Sequence, residues 1–169
     1  VYACSVNPID WKIRKGQLKI VSGKKPPRIL GGDFSGKVEA LGKEVTAFNI
    51  GDEIWGHINA LNGGGYAEYV KVKAENIYYK PENFDFIQAA AIPLAGLTAY
   101  QSLVDYGKVK ENSEILINGC TGGVGSVAVQ VAKFLGCGVT GVCSTKNIEY
   151  AKSIGVDEIV DYKQENILN

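Results

Sequence analysis

The chain has 169 residues, 46% of them hydrophobic, and its 18 basic side chains balance 18 acidic ones. That length holds one domain or two unequal modules, and a formal charge of zero gives no electrostatic ground for nucleic acid or a membrane surface as partner. No apolar run of about 18 residues occurs, the length that a membrane-spanning helix needs.

Four cysteines, Cys4, Cys120, Cys137 and Cys143, show no C-x-x-C spacing, and His57 is the sole histidine. That is too sparse a ligand set for zinc, so no metal is expected. The cysteines read as small, buried and reduced, which points to an intracellular, cytoplasmic protein. Val1 is not a start methionine, so the natural N-terminus is expected upstream and no targeting segment can be judged.

Along the chain, strand-like runs at 36–41, 53–55 and 66–73 are separated by Gly31-Gly32, Gly42, Gly51 and Gly63-Gly64-Gly65. Short strands punctuated in this way predict a compact antiparallel β-barrel. Asn7 precedes Pro8, whose ring pushes it toward an extended conformation, so on its own it reads as a turn residue. Lys12, beside Arg14 and Lys15, reads on its own as an exposed lysine. Asp33 lies in a glycine-rich bend, where a carboxylate is expected to accept local backbone N–H bonds. His57 reads as a surface residue at a strand end, and no proton relay through Asp33, Glu68 or His57 is expected. Helical stretches at 86–91 and 95–106 follow, broken apart by Pro93. They are expected to link the barrel to a second module, placing the boundary between 1–94 and 95–169.

The second module opens on an apolar run at 115–117, read as a buried strand, and helical periodicity resumes over 124–135. Between them, Cys120-Thr121-Gly122-Gly123-Val124-Gly125 is a G-x-G-x-x-G pattern with a cysteine at its first glycine position. A strand, a glycine turn and a helix present free backbone N–H groups and a helix N-terminus to a diphosphate. Glycines are required because the turn is tight and phosphates must approach the backbone closely. A second strand at 139–143 completes a βαβ unit, and a third follows at 158–160. NAD sites place Asp or Glu after the second strand to hold the ribose 2′-OH. Here the residues are Ser144, Thr145, Lys146 and Asn147. Two hydroxyls and an ammonium suit a 2′-phosphate, so NADPH is expected; the alternative is that Ser144 only caps a helix beginning near Asn147. Lys133 is expected on a solvated helix face without a role.

Several motifs in one order carry a resemblance. They are Ser5-Val6-Asn7-Pro8-Ile9-Asp10-Trp11-Lys12, Gly31-Gly32-Asp33-Phe34-Ser35-Gly36, 45–52 with Trp55-Gly56, Gly64-Gly65-Tyr66-Ala67-Glu68-Tyr69, Ala90-Ala91-Ile92-Pro93-Leu94, Leu97-Thr98-Ala99-Tyr100 and the glycine turn. The chain resembles the zinc-independent quinone oxidoreductases of the medium-chain dehydrogenase/reductase superfamily, and the NADPH-dependent enone and quinone reductases most of all. The resemblance implies an α/β protein: a GroES-like β-barrel followed by the first half, βαβαβ, of a Rossmann doubly wound domain. It implies a cleft between the two that holds the nicotinamide. It also implies that the remaining Rossmann strands and a return to the barrel follow Asn169, and that the full-length subunit is a homodimer.

Zinc-dependent relatives carry a cysteine near the position of Asn7 and Gly-His-Glu where this chain has Gly32-Asp33-Phe34. Without a Lewis acid, alcohol oxidation becomes hard, while a quinone or an α,β-unsaturated carbonyl still accepts hydride directly. The resemblance makes Asn7 and Lys12 the candidate catalytic residues. Asn7 would line the acceptor pocket, and Lys12 would lie by cofactor and substrate as a donor to an enolate oxygen or the nicotinamide ribose. It places the Thr98 hydroxyl near the nicotinamide, where the plainer reading is a helix N-cap. Tyr162 would pack along the adenosine phosphate, where the plainer reading is a half-buried aromatic. The cofactor set is thus Lys12, Thr98, Thr121 to Gly125, Ser144 to Asn147, and Tyr162. The expected activity is NADPH-dependent reduction of quinones or of enone C=C bonds. The alternatives are an enoyl-thioester reductase, or a non-catalytic NADPH-binding or structural member of the fold.

Overall fold

Asp33–Lys37 (β2) is the strand around which the first half of the chain is built, because all but its last residue are buried. The structure is a computed structural model that describes residues 1–18, 29–59 and 62–164. β2 pairs antiparallel with Ala3–Cys4 (β1) on one side and with Glu53–His57 (β3) on the other, and Ile77–Tyr79 (β4) extends the sheet beyond β3. Register is set by Phe34 opposite Gly56 and Gly36 opposite Ile54. Phe34 is 1% exposed and packs with Val38, Phe48, Ile54, Ile58 and Ile77. Burying such a ring contributes about 2 kcal/mol.

The other face of β2 carries Asp33 and Ser35, also buried. The Ser35 hydroxyl donates to the Phe86 carbonyl at 2.5 Å, tying β2 to the helix Phe86–Ala91 (α2). Asp85 caps α2 by accepting from the Gln88 N–H, while the Gln88 side chain accepts from the Asp85 N–H. Ala89 and Ala90, both buried, let α2 lie close across β1 and β2.

Contact within the chain divides it into two units, Val1–Leu94 and Ala95–Asn169. The second holds Glu114–Asn118 (β5), Gly138–Cys143 (β6) and Glu158–Asp161 (β7) as a parallel sheet in the order β5-β6-β7. Gly123–Phe134 forms a helix between β5 and β6, and Ile148–Ser153 a short one between β6 and β7. This is a βαβαβ run. Val129, Ala132, Val139, Cys143 and Ala151 form its core, each 2% exposed or less. Central β6 is the most buried strand of this sheet; β5 alternates, with Leu116 59% exposed, because β6 flanks it on one side only among the described residues.

Several expectations need correction. The strand expected at 36–41 is Asp33–Lys37, since the buried Asp33 and Phe34 belong to the ladder and the exposed Glu39, Ala40 and Leu41 do not. The stretch 66–73 has the composition of a strand but no ladder partner among the described residues. It bends at 66–68 and continues without regular structure over 69–73, along the rim of an apolar groove lined by Val38, Phe48, Ile54, Val70 and Ile77. β4 was not anticipated. Pro93 does not separate two helices by breaking the second but begins it, over Pro93–Tyr100 (α3), continued by a π-helix at Gln101–Tyr106. Proline suits a first helical turn, where its missing N–H has no partner to lose. The strand expected to be buried at 115–117 is half-exposed, and Cys4 is exposed while the other three cysteines are buried. Lys133 has a structural role, donating to both Asp157 oxygens at 2.7 and 2.8 Å and to the Cys137 carbonyl. No helix among the described residues is long and apolar enough to cross a membrane.

Candidate functional site

The turn after β5 is tied to the end of β6. Gly119 and Cys120 both donate their N–H groups to the Val142 carbonyl, at 3.0 and 3.1 Å. Gly119 takes φ +74°, a conformation that side chains rarely adopt, and its carbonyl accepts the Gly122 N–H at 2.9 Å. A Cβ on Gly125 would run into the Gly119 carbonyl and lie 3.0 Å from the Cys120 Cα, so the helix Gly123–Phe134 (α4) packs this close only with glycine there. A Cβ on Gly123 would meet nothing within 4 Å.

The three glycine functions are therefore tight turn at Gly119, open approach at Gly123 and helix packing at Gly125, while a Cβ on Gly122 would lie 3.3 Å from the Gly119 carbonyl oxygen. The sequence reading assigned the first of these to Cys120. The signal for the correct one is the spacing Gly119-x-x-Gly122-x-x-Gly125. Cys120 is instead a core residue, its thiol pushed up to about 11 by burial with Cys143 alongside, which makes it a poor nucleophile.

Beside the turn, the Asn147 side-chain amide donates to the Thr121 hydroxyl at 3.1 Å, bringing two expected cofactor residues together across 26 positions. Ser144 is buried and precedes a 3₁₀ turn at Thr145–Asn147, without a side-chain capping bond. Thr145 and Lys146 are exposed. The sequence reading missed Asp161. It reaches this corner from the end of β7, where its carboxylate accepts the Thr145 hydroxyl at 2.5 Å and the Lys163 N–H at 3.0 Å. The Thr145 hydroxyl is spent on that bond, leaving Ser144, Lys146 and backbone N–H groups as donors. Tyr162 is 50% exposed, with the Lys163 ammonium 5.4 Å from its ring centroid.

The Thr145 hydroxyl, followed by the Lys163 N–H, holds the Asp161 carboxyl below the usual carboxylate range. A depressed folded-state pKa contributes stability that is complete above the unfolded value of about 3.9 and is lost as pH falls through the folded value. We expect Asp161→Asn to narrow the gap in stability between pH 7 and pH 3, with urea unfolding at both pH values as the measurement. An unchanged gap would mean that this bond is not coupled to folding.

In the first unit, Asn7 is the N-cap of Pro8–Arg14 (α1), and its N–H donates to Asp10 at 2.8 Å. Its side-chain amide donates to Asp33 Oδ2 at 2.8 Å and to the Ser5 hydroxyl at 3.1 Å. Ser5 donates to the same Asp33 oxygen at 2.9 Å. Asp33 Oδ1 takes the Leu94 N–H at 3.1 Å and lies 2.7 Å from His57 Nδ1. Asp33 has no exposed surface at all.

A carboxylate only accepts, so its neighbours are fixed as donors: the imidazole carries its hydrogen on Nδ1, and Asn7 turns its NH₂ inward. Asn7 can then offer a ligand only its amide oxygen. The Asp33 partners are not the local backbone groups expected, and His57 is not an isolated surface residue. Glu68 is exposed and outside this knot. Burial, with Asp10 and Asp33 nearby, raises the Tyr66 hydroxyl well above its ordinary range, so it stays a donor, here to the Ser5 carbonyl at 3.2 Å. Lys12 is exposed with its ammonium 5.7 Å from the Trp11 ring centroid. Thr98 lies inside α3 rather than at its start, so it is not an N-cap.

Zinc does not fit here. Asn7 and Asp33 hydrogen-bond to one another, the carboxylate already accepts four donors, and no group of three His, Cys, Asp or Glu among the described residues could hold a metal.

An antiparallel unit with a buried polar knot, followed by a βαβαβ unit with a glycine turn, defines a class of two-module dehydrogenase folds. The family profile described as alcohol dehydrogenase GroES-like domain matches residues 1–82, and the one described as zinc-binding dehydrogenase matches residues 123–169. The chain is 38% identical over 168 residues to the chloroplastic quinone-oxidoreductase homolog of Spinacia oleracea, covering 96% of this chain and 51% of that protein. It is 38% identical over 174 residues to the 2-methylene-furan-3-one reductase of Solanum lycopersicum, covering 98% and 44%. The solved quinone oxidoreductase from Coxiella burnetii superposes with a TM-score of 0.90 at 39% identity, over 99% of this chain and 54% of that one. The chain belongs to the medium-chain dehydrogenase/reductase family, and its architecture is a GroES-like unit followed by a Rossmann-like parallel sheet. It spans about half the length of the curated relatives it matches.

Proposed function

We propose that this chain supplies the acceptor-binding and cofactor-binding residues of an NADPH-dependent oxidoreductase that reduces quinones or the C=C bond of α,β-unsaturated carbonyls. The observation that carries this reading is the turn 119–125. Its backbone is open over Gly123, the first residue of a twelve-residue helix. Thr121 to Gly125 would hold the diphosphate through N–H groups that have no partner within the helix. Ser144 and Lys146 would take the 2′-phosphate, Asn147 and Asp161 would hold their loop in shape, and Tyr162 would flank the adenosine phosphate. Thr98 would turn its hydroxyl to the nicotinamide and Lys12 would donate to its ribose or to an acceptor oxygen. Bound in this way, the cofactor supplies the hydride. Asn7 would line the acceptor pocket.

The lack of a fit for zinc supports an acceptor reduced without a Lewis acid, and the relatives named quinone oxidoreductase and furanone reductase support both acceptor classes. We propose a homodimer for the full-length protein. Three buried, unpaired cysteines suit a reducing compartment, the cytosol being the simplest.

The test is a fluorescence titration of the full-length protein with NADPH and NADH, followed by turnover on a quinone and on an enone. Lys146→Glu is expected to weaken NADPH about tenfold or more, the size of one lost charge-assisted phosphate contact, and to leave NADH nearly unchanged. Equal binding of both cofactors would remove the 2′-phosphate role of Ser144 and Lys146. Tight NADPH binding without turnover would favour a non-catalytic member of the fold.

A further inference from the structure

The knot around Asp33 contains a group that the reaction outlined above does not use. His57 Nδ1 is engaged by Asp33 Oδ1 at 2.7 Å, while its second nitrogen, Nε2, has no partner among the described residues. The ring is neither free nor enclosed: its side chain is 20% exposed, against none for Asp33. Gly32 makes room for it, since a Cβ there would lie 2.7 Å from the imidazole Cε1. Asp33 is held by Ser5, Asn7 and the Leu94 N–H, so the carboxylate that orients the imidazole is itself immobile.

A buried carboxylate that fixes an imidazole tautomer and leaves Nε2 outward is an arrangement able to give or take a proton. The Asn7 amide, placed in the acceptor pocket by the proposed function, lies on the other oxygen of the same carboxylate. The other titratable groups gathered in this corner are Asp10, Tyr66 and Cys4.

Resting on that reading, we propose that His57 is the proton donor to the reduced acceptor and that Asp33 is its positioning residue. A quinone or enone that has accepted a hydride at carbon carries the extra electron pair on oxygen. Transfer from Nε2 breaks one N–H bond and forms one O–H bond, giving an enol from an enone, or from a quinone the dienone tautomer that becomes the hydroquinone when its ring C–H loses a proton to water and the second oxygen takes one up. The imidazolium becomes a neutral imidazole, which regains its proton from water. The nicotinamide is the only reductant, and His57 changes protonation without changing oxidation state.

The test variant is His57→Asn in the full-length protein, because the asparagine NH₂ replaces Nδ1–H opposite Asp33 and keeps the knot bonded. Its melting temperature and NADPH affinity are expected to match the parent, while kcat on the enone falls about 100-fold, the lower range for losing a general acid. The parent's kcat is expected to depend on pH in a way that the variant's does not. A second readout is independent of turnover. The ¹⁵N resonance of His57 Nε2, assigned by its disappearance in the variant, is expected to shift on adding a non-reducible cyclic ketone. An unchanged kcat and pH profile, or a ketone that leaves Nε2 unmoved, would overturn the proposal. If the parent binds NADPH but reduces no quinone or enone, the function reading fails, and the ketone titration still decides whether His57 faces a carbonyl ligand.

Discussion

Gly125→Val is expected to abolish NADPH binding and to destabilise the second unit by about 3 kcal/mol or more, the upper range for overpacking a close contact. The new Cβ would run into the Gly119 carbonyl and approach the Cys120 Cα to 3.0 Å, both of them backbone atoms. Neither can retreat. Gly119 and Cys120 are bonded to the Val142 carbonyl, and the Cys120 thiol already stands 2.7 Å from where a Cβ on Gly141 would be. The helix α4 must therefore lift, carrying Val129 and Ala132 out of the core. Gly123→Ala is the informative contrast. Its Cβ meets nothing within 4 Å, and alanine gains up to about 1 kcal/mol over glycine inside a helix. Stability should hold or rise while NADPH binding weakens, because the methyl occupies the side from which a diphosphate would approach. Urea unfolding and a fluorescence titration of both variants check the pair. Binding that survives in Gly125→Val would displace the turn from the cofactor site.

Asp33→Ala is expected to destabilise the first unit severely. Ser5, Asn7, His57 and the Leu94 N–H, all partly buried, would each lose the fully buried carboxylate that accepts from them. A stranded buried donor costs about 1–3 kcal/mol, and four at the low end of that range approach the lower part of the roughly 5–15 kcal/mol that holds a typical domain folded. Asp33→Asn keeps one oxygen acceptor and should be intermediate, folded with a lowered melting temperature. Soluble yield and thermal unfolding read the series. A soluble Asp33→Ala with the parent's melting temperature would show that the knot is not needed for folding.

The two units were unequally legible in the sequence. The βαβαβ unit is written in local signals: helix α4 and strands β5 to β7 all lie within about one residue of the stretches read from apolar periodicity and glycine punctuation, close to the usual uncertainty of such boundaries. The first unit is short strands whose partners are remote, with Ala3 opposite Ser35 and Asp33 opposite His57. Composition alone therefore chose 66–73, rich in β-formers, over Ile77–Tyr79, which has a neighbour to bond. Asp33 was the largest miss at the site. Its four donors come from positions 24 to 61 residues away, and nothing local distinguishes a carboxylate at the centre of a knot from one in a turn. Asp161 is illegible for a related reason: the acidic residue of NAD sites belongs to the end of the second strand, whereas here the third strand delivers a carboxylate to the same corner.

The outer side of β5 bears on how this chain behaves while it is being made. Glu114–Asn118 bonds to β6 alone, so among the described residues a row of N–H and C=O groups on its far side stays unpaired beside the exposed Leu116. β5, β6 and β7 pair in parallel between residues 18 to 24 positions apart, the kind of topology that closes slowly and stays exposed to aggregation while it does. A nascent chain would thus carry this sheet with an adhesive edge, open to any extended segment nearby. Glu114 is its one charged side chain, set at the very end of the strand. Chaperone capture during synthesis, and edge-to-edge self-association when these 169 residues are produced alone, follow from that open ladder.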